Sequence, residues 1–209
     1  MRFRVGRRDR ERGQGLVEFT MVLPIILLVV VSVGEFGLVF SDLLTVGYGS
    51  REGARVGSAL ATGQVDDCFG GKDPSGVDTA VVSAVQRILK SPGSGIDVAD
   101  VQEIRIFKAS ASGDEMPGTA NIWNYAGEFG GPEVDPGPGV VKLDFLQSSR
   151  LWPACARTNN GSSPDSIGVT VVYRYDFVNP MASVVDAITG GNAFLTLRET
   201  TVMALNPSL

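Results

Sequence analysis

Residues 19–40 read FTMVLPIILLVVVSVGEFGLVF, apolar on every side of a helix, with Glu35 as the only charge. A helix of that length rises about 33 Å at about 1.5 Å per residue, roughly one hydrocarbon core. A chain of 209 residues is too small to wrap so uniformly apolar a segment, so the pattern predicts a transmembrane helix rather than a core helix. Beyond Phe40 the composition stays helix-compatible to about residue 62, but polar residues return. Gly49, Gly53 and Gly57 recur every four residues on one face, flanked by Arg51, Glu52 and Arg55. Such a row admits another backbone closely, while each glycine weakens an isolated helix by about 1 kcal/mol relative to Ala. Packing must therefore support this face, with the chain's own sheet as the first expectation and a partner helix as the second.

After the helix, residues 66–74 (DDCFGGKDP) are dense in turn formers. A second helix is expected through Lys90, capped by Ser75 or Asp78, with Val77, Val81, Ala84, Val85, Ile88 and Leu89 on its apolar face and Pro92-Gly93 as its stop. The period then falls to two. Residues 101–109 and 140–145 read as strands, and 169–177 and 194–205 as the strongest pair, joined by a short helix over 181–188. The Gly- and Pro-rich stretch 127–139 reads as a surface loop. The expected fold is α+β, a long N-terminal helix followed by a small antiparallel sheet domain with one or two short helices.

Charge changes the picture at the N-terminus. Residues 1–13 hold six arginines against Asp9 and Glu11, so this leader carries +4 and the remainder −9 of the total −5. Arginines immediately before an apolar span place the N-terminus in the cytoplasm and the residues after the span outside. A cleavable secretory signal has a shorter apolar run, about 7–15 residues, and a small-residue cleavage site after it; here the segment continues as helix and is expected to be retained. The acidic remainder argues against nucleic acid as a partner. The expected organisation is a basic leader over 1–13, a transmembrane and extended helix over 14–62, and an extracytoplasmic domain over 63–209.

The junction RGQGLVEF runs from Arg12 to Phe19 and places Glu18 five residues after Gly13. It resembles the class III signal of type IV pilin-like proteins of the Tad/Flp subtype. Residues 12–57 as a whole resemble the TadE-like family, with RGQ, VEF, an LP step inside the apolar run, EFG and REGAR in order. Residues 167–205 are similar to that family's terminal pair of strands. The resemblance implies a prepilin-peptidase cut between Gly13 and Gln14. It also implies an assembly role for Glu18 and Phe19, and as partners the membrane lipid, other pilins and Tad assembly proteins. In such proteins the glutamate attracts the N-terminal amine of a neighbouring subunit, and two opposite charges in a low-dielectric layer attract strongly. Gln14 and Glu18 are also i and i+4 on one helix, so the amine has a partner within its own chain; a glutamate solvated by headgroups is the plainer reading. Glu35 falls about 24 Å beyond Phe19 and reads as a boundary marker that snorkels to water, while Pro24 removes one helix hydrogen bond.

Cys68 and Cys155 both fall outside on this topology, where an even pair invites a disulfide worth up to about 4–5 kcal/mol in the chain-entropy model; two free thiols are the alternative. The chain has no histidine, which removes the commonest general base and most zinc-enzyme arrangements. Gly70-Gly71-Lys72 lacks the Ser or Thr of a P-loop. Asp66, Asp67 and Asp73, or Glu128, Glu133 and Asp135, lack EF-hand spacing and read as solvated loops. No cofactor, metal or enzymatic activity is expected. Two functions remain: a pilin-like component of a Tad-type pilus, and a membrane-tethered binding or adhesion domain that never enters a filament.

Overall fold

The computed structural model describes residues 8–60, 76–135, 139–160, 162–178 and 180–206, with side chains from Gln14 onward. They form two compact units, Met1–Val39 with Phe177–Ala193, and Phe40–Asp176 with Phe194–Leu209. Helix α1, Arg8–Leu60, contributes residues to both. Residues 177–193 group with the first part of α1 in this division.

In the second unit, α2 (Val77–Leu89) precedes a five-stranded antiparallel sheet of β1 (Val101–Ala109), β2 (Glu115–Tyr125), β5 (Phe145–Arg150), β6 (Ser166–Asp176) and β7 (Phe194–Ala204). The strand order is β5-β2-β1-β6-β7. A separate two-stranded ribbon joins β3 (Glu133–Val134) to β4 (Val141–Lys142). The fold is α+β. β6 is an interior strand, between β1 and β7, and is buried on both faces, so it reads as a nearly continuous apolar run rather than an alternating one.

The odd residues of β6 meet the helices. A Cβ on Gly53 would stand 2.7 Å from Val85 Cγ2 and 3.2 Å from Val169 Cγ1, and one on Gly57 would stand 2.6 Å from Ile167 Cδ1. At Gly49 the nearest atoms, of Leu89 and Val85, lie at 3.6 Å. The glycine face of α1 therefore packs on α2 and β6 of its own chain. Ser50 and Ser58 tie the same helix to β7, Ser50 Oγ lying 2.9 Å from Thr201 Oγ1 and Ser58 Oγ donating to Ala204 O at 2.6 Å. On the opposite sheet face the Phe107 ring lies over Gly168, where a Cβ would come within 2.3 Å of the ring. Ala109 and Ala120 complete that small cluster, with Ile122 and Val202 against it.

Several expectations shift. Ser75 lies outside the described residues, and the cap of α2 is Gly76 at φ 64, with no side-chain cap. Asp78 is instead buried at 2% exposure. It pairs with Arg157 and accepts from Asn121 Nδ2 at 2.6 Å. Arg157 lies over the Trp152 ring, 4.6 Å from its centroid. Asn121 also accepts from Leu151 N and Trp152 N at 2.8 and 2.7 Å, so one amide pins the turn after β5. The strand expected at 140–145 is two pieces, β4 in the ribbon and β5 at the sheet edge. Asp144 separates them, taking Lys90 Nζ at 2.9 Å and donating its N–H to Gln86 Oε1 at 2.8 Å. β2 was not among the expected strands, and it contains Pro117 and Gly118. Both sit where the β1–β2 register jumps from Phe107↔Ala120 to Ala109↔Glu115, a bulge that releases them from regular pairing.

Gly49→Ala should be neutral or stabilise by up to about 1 kcal/mol, the helix-propensity gain. Gly53→Ala and Gly57→Ala should instead destabilise by about 1–3 kcal/mol through overpacking. Denaturant unfolding of the three variants checks the contrast, and equal effects would refute the seam. Asp78→Ala leaves a buried guanidinium unpaired and should cost about 3–5 kcal/mol in the same measurement.

Candidate functional site: the anchor helix

α1 is one continuous helix across the expected junction, so Gly13 and Gln14 both lie within it. Gln14 Nε2 donates to Glu18 Oε1 at 2.9 Å, an i,i+4 pair on the exposed surface. Phe19, next to it, is also exposed. Within the apolar run the polar side chains bond back to the helix. Thr20 Oγ1 donates to Leu16 O at 2.8 Å and Ser32 Oγ to Leu28 O at 2.7 Å, which removes two hydroxyls from the list of groups needing water.

Fifteen large apolar residues between Leu16 and Phe40 are exposed. At about 1.5–3 kcal/mol for each such side chain left in water, their exposure amounts to a few tens of kcal/mol, more than the whole net stability of a typical domain. This stretch carries the apolarity and length to cross a membrane. Burial of these side chains in apolar surroundings removes that cost.

Glu35 corrects the reading of a water-facing boundary marker. It is only 6% exposed, and its Oε1 accepts the Val178 N–H at 2.8 Å. Residue 178 lies just before α3, Met181–Thr189, in the same compact unit. The glutamate of the EFG step is thus a backbone acceptor.

The REGAR step has an equally local explanation. Gly53 and Ala54 are the small residues of the seam, Ala54 being wholly buried. Glu52 joins Arg55 at 2.7 Å and Arg87 of α2 at 2.9 Å. Arg51 lies over the Tyr48 ring, 5.9 Å from its centroid. The hydrogen bond from Arg55 is the main reason the Glu52 carboxyl sits below its usual range, opposed by burial and aided by the charges of Arg55 and Arg87.

These groups do not converge on a single cleft. Gly13, Gln14, Glu18 and Phe19 are near one end of α1, whereas Gly49, Gly53 and Gly57 belong to the seam of the second unit. Cys155 lies in the short turn Ala154–Ala156. It is not free, and Cys68 lies outside the described residues. Asp66, Asp67 and Asp73 also lie outside them, and among the described residues no three acidic or sulfur ligands come together to hold a metal. Sequence reasoning missed Arg157 and Asn121 and read Asp78 as a cap, because their partners come from separate elements; it also missed the role of Glu35, for which an isolated carboxylate in an apolar run was the available signal.

Residues 13–55, about a fifth of the chain, match the family model described as TadE-like protein. The match covers the junction, the apolar run, the EFG step and REGAR as far as Arg55. No curated protein and no solved structure matches the chain.

Because its folded-state pKa is lowered, Glu52 contributes stability in full above its unfolded pKa, and that contribution is lost as pH falls through the folded value. Glu52→Gln should therefore lower the thermal midpoint at about pH 7 and flatten its fall toward about pH 3. Parallel curves for the two proteins would refute the assignment.

Proposed function

With residues 13–55 matching the TadE-like model, we propose that the chain is a non-enzymatic, pilin-like component of a Tad-type pilus, a minor pilin or assembly protein. The observation that carries this reading is that match, falling on a helix whose apolar surface is left uncovered by its own chain. Residues 19–40 hold the protein in the cytoplasmic membrane, with the arginine-rich leader inside and the acidic C-terminal domain outside. Prepilin peptidase cuts between Gly13 and Gln14. The new Gln14 amine and the Glu18 carboxylate then form the charged pair through which the helix joins other pilins, within the chain or across to a neighbour. The exposed Gln14–Glu18 hydrogen bond supports the pairing, since it brings those two positions within reach of each other. Phe19 belongs to the apolar surface that neighbouring helices cover.

Cys155 and Cys68 are assigned to one disulfide of the external domain. Two cysteines in the chain and a Cys155 that is not free support that pairing. The lack of any histidine supports the non-enzymatic reading.

Intact mass or N-terminal sequencing of the membrane-extracted protein, from cells that hold the peptidase, should give a chain beginning at Gln14. Retention of residues 2–13 would overturn the pilin reading in favour of a membrane-tethered binding domain. Glu18→Ala should leave processing unchanged and reduce filament number, so normal piliation would remove that residue's role.

A further inference from the structure

The connection Phe177–Ala193 contains one charged residue, Asp186. None of the residues of α3 is buried, and Val178 and Ile188 are 54% and 80% exposed. Such a segment resembles a loop poorly and an apolar surface well. It belongs to the compact unit formed with the first part of α1, and three contacts fix its level on that helix. Val178 N–H donates to Glu35 Oε1 at 2.8 Å, Ser32 Oγ lies 3.6 Å from Met181 Sδ, and an apolar groove of about 290 Å³ is lined by Pro24, Leu28 and Val31 against Met181 and Val184. Leu28 is twelve residues before Phe40 in the chain. At about 1.5 Å per residue that is about 18 Å back along the helix.

We propose that Phe177–Ala193 is a second membrane-embedded element, a re-entrant segment whose short helix lies among lipid acyl chains. The proposal rests on the reading of residues 19–40 as membrane-spanning, since whatever packs on Leu28 and Val31 then lies within the hydrocarbon layer.

Backbone groups at that depth have no water to bond, so each must find a partner inside the protein. Several described groups of the segment are met in this way. Phe177 N donates to Ala193 O at 3.2 Å and closes its neck. Ala182 N reaches Val178 O at 3.1 Å, and the N–H groups of Gly190 and Gly191 both turn back to Asp186 O, at 2.9 and 3.2 Å. Val178 N–H precedes the helix and is met by Glu35. A carboxylate inside an apolar span is costly without a partner, and an orphaned amide there is costly as well; each answers the other. Asp186 is exposed on α3, and in the bilayer its carboxylate turns to headgroup water. Lipid is the occupant that the exposed Ile188 and Val178 share with the exposed Phe36 and Leu38 of α1, on one continuous unit.

The test uses the full chain in phosphatidylcholine vesicles whose acyl chains carry a doxyl quencher. A polarity-sensitive fluorophore is attached to Ile188→Cys, to Phe36→Cys as the spanning control and to Phe129→Cys as the aqueous control. The parent protein, treated with the same reagent, gives the background from the native cysteines. Blue-shifted, quenched emission at residues 36 and 188, with none at 129, is the expected result. Quenching at 36 without quenching at 188 overturns the re-entrant placement and leaves the spanning reading intact, whether water or another subunit covers α3. Absence of quenching at 36 overturns both. In the Ile188→Cys background, Glu35→Ala should lower quenching at 188 while the matching change in the Phe36→Cys protein has no effect; Glu35→Gln, which keeps an acceptor oxygen, should retain most of it. Unaltered quenching in Glu35→Ala removes Glu35 as the tether.

Discussion

The seam at Gly53 and Gly57 is the contact on which the C-terminal unit is built. A helix that leaves an apolar span has to acquire one buried face, and here it does so by bringing its backbone against Val81, Val85, Val169 and Ile167 with no side chain between. The two glycines each sacrifice about 1 kcal/mol of helix propensity, which the packing of a wholly buried Val81, Val85 and Ile167 outweighs at about 1.5–3 kcal/mol for each large side chain. Once α1 is that close, Ser50 and Ser58 reach β7, Glu52 reaches Arg87 of α2, and the helix connects β6 to the edge strand β7.

The first unit leaves most of its large apolar helix side chains exposed. Residues 19–34 of its helix carry no charge, and the hydroxyls of Thr20 and Ser32 return to the helix backbone. Its buried carboxylate, Glu35, accepts a main-chain N–H. Carboxylates on α1 thus serve by position: Glu18 is exposed beside Gln14, Glu35 closes a backbone contact, and Glu52 bridges two arginines on the surface of the C-terminal unit. The same residue type meets three needs because the surroundings differ, not the chemistry.

Much of the TadE-like segment was legible because its signals are local. The apolar run, the spacing of Gly13 and Glu18, and the four-residue glycine period are properties of one helix, and a helix preserves sequence spacing as geometry. The strands at 101–109, 169–177 and 194–205 were legible for a similar reason, since alternation and β-branched runs follow from the pleat. β2 was missed, and its Pro117 and Gly118 fall at the bulge that pairing with β1 reveals.

The sequence by itself determined a long helix, apolar then small-faced, followed by an antiparallel α+β domain with an acidic surface and no histidine chemistry. Only the tertiary structure decided that Asp78 is a buried partner of Arg157 rather than a helix cap, that the glycine row faces α2 and β6, and that Glu35 holds Val178. The physical reason is range. Hydropathy and period act between residues a turn apart, whereas a buried carboxylate is defined by a partner that arrives from tens of residues away, and for Glu35 that partner is 143 positions along the chain.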